Sequence, residues 1–324
     1  MKRLRERINF KNISKVLGIV IGVAAIYFSL KNIRGNEIAK SLESMKASWI
    51  IPIVLLNFAV IGCKALRWQF MITPVKRIHF LTMFRVLIIG FMANNILPAR
   101  LGEAVRVHML GRDTDVSKVR AAASLIADRV IETVSFLMFA ALLMIISDVP
   151  KWMHLGLSIT LGITITLYLL AFIYSKKEVT NPFLKKIQDG VQALLHLKLT
   201  LLGTATSLVS WLLQGVMLYM TQVAFGIELP IWGIILVLLA INLAVAVPST
   251  PGHVGTFEFA SILAYTYLGL DKSMGLLVGA TFHILQIIPV TLVGGVLMLT
   301  SHVNLRKIPI SLDPKVSQES SRGQ

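Results

Sequence analysis

Apolar runs separated by short, basic connections fill almost the whole chain. The pattern predicts membrane-crossing helices near 16–30, 49–66, 80–97, 120–147, 153–174, 199–225, 230–247 and 273–300. No Asp, Glu, Lys or Arg occurs between Lys198 and Glu228, or between Glu228 and Glu258. Either stretch exceeds the roughly 20 residues a helix needs to cross the bilayer core. The expected fold class is an all-α polytopic transmembrane helical bundle, with about eight spans plus two broken or re-entrant segments.

The breaks are written into the pattern. Asn94-Asn95-Ile96-Leu97-Pro98-Ala99-Arg100-Leu101-Gly102-Glu103, followed by Arg106, interrupts one apolar run. Pro248-Ser249-Thr250-Pro251-Gly252-His253-Val254-Gly255-Thr256-Phe257-Glu258 interrupts another. Proline removes a backbone donor and clashes with the preceding turn, and glycine weakens the helix further. Hydrocarbon offers no water to the freed groups, so such breaks persist only inside protein or beside a wet cavity. A pair of them in one polytopic chain points to a transport site.

Composition sharpens this picture. The 324 residues are 55% hydrophobic and 15% charged, with a mean hydropathy of +0.75, against about 25% charged in soluble domains. The formal charge of +16 sits in connections, as positive-inside topology requires, and no polar domain carries it toward nucleic acid. Residues 1–15 hold six basic residues against Glu6 and are expected to be cytoplasmic. The run that follows has no small-x-small cleavage site and reads as an uncleaved span. The basic connections 64–79, 100–120 and 175–198 are expected on the same side, which places both ends of 80–97 together and favours a re-entrant hairpin there. The chain divides into this N-terminus, a membrane domain over 16–303 and a polar tail, 304–324, expected to be disordered. Cys63 is the only cysteine, so no intrachain disulfide or cysteine-based zinc site is expected. Neither cofactor, metal nor enzyme motif is expected.

The candidate chemistry lies at the breaks and in one span. Glu103 and Arg106, three apart, would be neighbours on a short helix, and Arg100 offers an anion a planar fork. Asp128 and Arg129 lie in the fourth apolar run, where Arg129 can pair with Glu132. Glu258 sits in uncharged surroundings and needs a cation, with Arg100, Arg106 or Arg129 the expected partner. His253, His283 and Gln286 are weaker candidates, since such groups usually make interhelical hydrogen bonds.

Asn95-x-x-Pro98-x-Arg100-x-Gly102-Glu103-x-x-Arg106, then Asp128-Arg129, then Pro248-x-x-Pro251-Gly252-x-x-Gly255-Thr256-x-Glu258 resemble the lysylphosphatidylglycerol synthase transmembrane, or flippase-like, family from about residue 15 to 300. The resemblance implies movement of aminoacylated or other anionic lipids between leaflets, in the cell (plasma or inner) membrane. Its implied substrate-binding set is Asn95, Pro98, Arg100, Gly102, Glu103, Arg106, Asp128, Arg129, Pro251, Gly252, His253, Gly255 and Glu258. His253 stands where similar sequences often have a second glycine. No soluble aminoacyltransferase domain is recognisable, so lysyl transfer is not expected. The partners implied are a phospholipid or other polar-headed lipid and a membrane-bound synthase or glycosyltransferase. Two other roles fit the same residues: an accessory scaffold for such an enzyme complex, or a small-solute or ion transporter.

In a Cys63→Ser background, a cysteine introduced at Lys186 should react with an impermeant maleimide only in inside-out vesicles. Labelling from the outside alone would reverse the orientation.

Overall fold

Ten α-helices and no strand occur among the residues described in the computed structural model, which are Ala25, Tyr27, 45–97, 101–175, 177–246 and 250–301. They are α1 (Ile50–Ile72), α2 (Phe80–Ile96), α3 (Gly102–Thr114), α4 (Lys118–Ile146), α5 (Lys151–Ser175), α6 (Pro182–Val191), α7 (Leu197–Ala224), α8 (Ile231–Ala246), α9 (Thr256–Tyr267) and α10 (Lys272–Thr300). Local chemistry sets several starts. Ser117 accepts from the Arg120 N–H, Asp271 from the Met274 N–H, and Asn181, followed by Pro182, from those of Phe183 and Leu184. The expected N-terminus 1–15, most of the first span and the tail 304–324 lie outside the described residues, as do Pro98, Arg100 and Pro248.

Five helical stretches are long and apolar enough to cross a membrane: Ala47–Ile72, Lys118–Ile146, Lys151–Tyr174, Leu197–Ala224 and Lys272–Thr300. Two others expected to span, α2 and α8, have only 17 and 16 residues, or about 25 Å of helix. Each is one arm of a hairpin. Arg85 near the start of α2 pairs with Asp113 near the end of α3, Nη2 to Oδ2, at 2.8 Å, so those helices run antiparallel. Gly233 near the start of α8 likewise lies against Leu268, just past the end of α9.

The hairpins open on opposite sides of the bundle. The Lys46 N–H, just before α1, donates to the carbonyl of Ala224 at the end of α7, at 2.9 Å, so α1 and α7 are antiparallel. The first hairpin follows the end of α1 and the second follows the end of α7. Thus α1, hairpin, α4 and α7, hairpin, α10 form two units of inverted topology, an arrangement that places transport sites at the repeat interface. Helix α10 ties the hairpins together. Its first half packs Gly279 against Ser261 of α9, and its second half packs Gly294 against Met92 and Ile88 of α2.

Helix α1 is longer than the pattern suggests. Lys64 and Arg67, expected in a basic connection at 64–79, are in the helix and face the bundle. The reason is pairing. Arg67 is 2% exposed and donates to Asp128 through Nε at 2.7 Å and Nη2 at 3.2 Å, while its Nη1 donates to Ser207 Oγ at 3.1 Å. One guanidinium therefore joins α1, α4 and α7.

Breaking a buried pair from one side leaves an uncompensated charge. Asp128→Ala should destabilise the protein by about 3–5 kcal/mol, read as a lower melting temperature in detergent. Arg67→Met combined with Asp128→Leu should recover most of that loss, because no lone charge remains.

Candidate functional site

The two hairpin tips meet in the middle of the bundle. A Cβ on Gly252 would lie 3.2 Å from Ile287 Cδ1 and 3.5 Å from the Asn95 carbonyl oxygen. In the first tip, the Asn94 side chain accepts from the Gly102 N–H at 2.8 Å, supplying an N-terminal cap from across the hairpin. A Cβ on Gly102 would collide with the Gly90 carbonyl and with Asn94, so only glycine allows the arms this close. In the second tip, Gly252, His253 and Gly255 have φ of +64°, +61° and +95°. His253 thus holds a left-handed conformation that glycine adopts freely and other residues rarely do.

Glu258 closes the start of α9. Its Oε2 accepts from the Gly255 N–H at 2.6 Å, and its Oε1 lies 2.7 Å from His283 Nδ1. The His283 ring stacks on Phe257 with centroids 3.9 Å apart. The expected arginine partner is therefore replaced by a histidine of α10, which reaches Glu258 because α10 packs directly along α9.

Charges gather on the first repeat. Glu132 meets Arg129 (2.5 Å), Arg67 (3.2 Å) and Lys64 (3.6 Å), and Arg129 also reaches Glu103 at 3.3 Å. The expected Glu103–Arg106 pair does not form. Glu103 turns to α4, and Arg106 turns into α2, where Gly90 leaves the room its side chain occupies. Arg106 is 1% exposed, with its guanidinium carbon 4.2 Å from the Phe91 ring centroid. Its Nε and Nη2 have no hydrogen-bond partner among the described residues. Lys64, Arg67, Arg106 and Arg129 outnumber Glu103, Asp128 and Glu132 by one formal charge. Unpaired buried donors cost about 1–3 kcal/mol each, a cost that a hydrogen-bond acceptor at Arg106 would remove.

Two cavities flank this cluster. A central one of about 180 Å³ lies under the tips, between Asn95, Gly252 and His253 on one side and Asn57, Lys64, Gln214, Asn242, His283 and Gln286 on the others. A lateral one of about 720 Å³ lies between α3, α4 and α5. Glu103, His108, Lys118 and Arg129 give it polar edges, while Val107, Leu125, Ile126, Ile163 and Leu167 make its walls. The hydroxyls of Thr133, Thr160 and Thr164 donate to carbonyls of their own helices, leaving their methyl groups to the space. Helix α5 forms the outer wall, and much of its apolar side is exposed, including Leu155, Ile159, Leu169 and Leu170. Val245 lines the central cavity and Ala246 the lateral one, so the end of α8 separates them.

The structure thus brings Asn95, Gly252 and His253 to the central cavity and Glu103 and Arg129 to the lateral one, with Arg106 close by. Asp128 is committed to Arg67. Pro98 and Arg100 lie outside the described residues. Sequence reasoning missed Lys64, Arg67, Asn57, Gln214 and Asn242. The available signal was polar residues at 57, 64 and 67 within one long apolar run, since ionisable groups in a span are costly unless they have partners.

Comparison with known proteins agrees with this architecture. A UPF0104 membrane protein of Methanothermobacter thermautotrophicus is 26% identical over 291 residues, covering 79% of this chain and 86% of the relative. Another UPF0104 membrane protein, from Methanocaldococcus jannaschii, is 28% identical over 229 residues, covering 67% of this chain and 97% of the relative. The model of the lysylphosphatidylglycerol synthase TM region matches residues 15–294, and with nearly the whole helical bundle inside that match, the chain is a membrane protein of this family.

Proposed function

We propose that this protein moves a lipid with an anionic headgroup between membrane leaflets, the acyl chains running along the lateral cavity and the phosphate received by Arg106 and Arg129. The observation that carries this reading is Arg106, a buried guanidinium with two N–H groups unpaired among the described residues. Its neighbours on α3, Glu103 and Val107, line the lateral cavity with its apolar walls and charged edges, and its guanidinium rests on Phe91, which lines the central one. A phosphodiester would supply acceptors in a planar geometry that matches the guanidinium fork. The inverted hairpins provide the element that exposes the site to one side or the other. No chemical step is assigned to the chain in this reading. Its site is the cell membrane, with a cytoplasmic N-terminus and a lipid- or glycan-synthesis enzyme as the natural source of cargo.

The polar central cavity favours a second reading, transport of a small hydrophilic solute through the hairpin tips. The two separate on the lateral cavity: Ile163→Trp should slow lipid movement and leave solute uptake unchanged.

In vesicles containing only this protein, labelled phosphatidylglycerol should equilibrate between leaflets at least tenfold faster than in empty vesicles. Arg106→Ala should lose about two kcal/mol of headgroup interaction, or roughly thirtyfold in affinity, while remaining monodisperse. Arg106→Lys should restore only part, because an ammonium cannot make the bidentate contact. Equal exchange rates for wild type and Arg106→Ala would remove the headgroup site.

A further inference from the structure

The central cavity presents an unusual chemistry, three side-chain amide oxygens beside the single ammonium of Lys64. Asn57 Nδ2 donates to the carbonyl of Gln286 at 3.1 Å, Gln214 Nε2 to that of Ser210 at 3.3 Å, and Asn242 Nδ2 to that of Leu238 at 2.8 Å. A main-chain carbonyl only accepts, so each nitrogen's position is fixed by its partner and the amide cannot be flipped. The three side-chain oxygens remain as acceptors at the cavity, and none receives a hydrogen bond among the described residues. They come from α1, α7 and α8, so they converge on one space from three helices.

Acceptors call for a ligand rich in donors, which means either hydroxyl groups or an ammonium. The surrounding charge decides between them. Lys64 lines the same cavity, and Arg106 lies over the ring of Phe91 in its wall. An ammonium would therefore meet like charge in a low-dielectric setting, and a bare anion would face three carbonyl dipoles. Hydroxyls escape both penalties. Phe91, Phe257 and Phe282 add ring surface suited to the C–H faces of a cyclic polyol. The volume of about 180 Å³ corresponds to roughly six waters at about 30 Å³ each, which is room for one six-membered ring.

We propose that the central cavity binds a neutral, cyclic polyhydroxylated group, of inositol or hexose type, joined through a phosphodiester to the remainder of the cargo. This rests on the lipid-carrier reading for the phosphate, held by Arg106 and Arg129. Arg106 is the link to the central cavity, its guanidinium carbon 4.2 Å from the ring centroid of Phe91, which lines that cavity with Lys64, whose Nζ is 5.8 Å from the same centroid. The amides of Asn57, Gln214 and Asn242 then select the polyol, and the arginines hold the charge common to many headgroups.

The test is calorimetric titration of the full chain in phosphatidylcholine nanodiscs with glycerophosphoinositol, glycerol 3-phosphate and phosphoethanolamine. Glycerophosphoinositol should bind about tenfold or more tighter than glycerol 3-phosphate, since each added hydrogen bond contributes a factor of several. Phosphoethanolamine should bind no tighter than glycerol 3-phosphate. Gln214→Leu and Asn242→Leu should each weaken glycerophosphoinositol about fivefold and leave glycerol 3-phosphate unchanged. Equal affinity for glycerophosphoinositol and glycerol 3-phosphate, or a preference for phosphoethanolamine, overturns the proposal. Should either variant fail to fold, the wild-type ranking decides alone. Leaflet exchange of labelled phosphatidylinositol in vesicles separates the two readings. The ranking without exchange supports the polyol site with a soluble polyol phosphate as ligand and removes the lipid carrier. Exchange of phosphatidylglycerol and phosphatidylinositol at equal rates without the ranking removes the polyol site and leaves the carrier standing.

Discussion

Everything in this bundle depends on satisfying charge and backbone polarity without water. The contact that does most of this is the Arg67–Asp128 pair, with Ser207 as its third partner. It fixes α1, α4 and α7 relative to one another, and it lets a guanidinium sit 2% exposed in apolar surroundings. In hydrocarbon or dry protein, removing either partner strips a buried charge of its nearest counter-charge. The remaining charges organise around this node: Glu132 touches Arg67, Arg129 and Lys64, and Arg129 reaches on to Glu103.

Against that fixed framework the hairpins bring polar backbone to the centre. Each break frees main-chain groups, and each is answered by a side chain nearby. Asn94 caps α3 from the neighbouring arm, and Glu258 turns back on the Gly255 N–H while holding His283. Because the hairpins enter from opposite sides, their tips and the cavity beneath them lie at the interface between inverted repeats. In transporters built from inverted repeats with broken helices, substrate sites lie at such an interface. Arg106 has no ion pair among the described residues, whereas the other charges of the cluster each have one. It is buried without hydrogen bonds to Nε and Nη2 among the described residues, a cost that a bound anion would offset.

The two cavities differ in chemistry. The lateral space is apolar because its threonines spend their hydroxyls on their own helices. The central space is polar because its amides spend their nitrogens on main-chain carbonyls and keep their oxygens. In both cases the local helix decides what the cavity can bind, by consuming one half of a side chain's hydrogen-bonding capacity.

The sequence by itself determined the class and the location of the breaks. Long uncharged runs admit only membrane helices, and Pro98, Gly102, Pro251 and Gly252 mark where continuity is lost, because backbone geometry is a local property. Asn95, Arg106 and His253 were legible as site candidates from their place at those breaks. Partnerships were not legible. Charge counting put Lys64 and Arg67 in a loop, whereas the fold draws them inside to Glu132 and Asp128. Glu258 finds His283 rather than an arginine, and Glu103 finds Arg129 rather than Arg106. Such pairings join residues distant in sequence or on opposite sides of one helix, so they depend on how helices pack and on which glycine leaves space for a side chain. The three convergent amide oxygens have the same origin. Asn57, Gln214 and Asn242 lie far apart in the chain, and only the packing of α1, α7 and α8 makes them one surface.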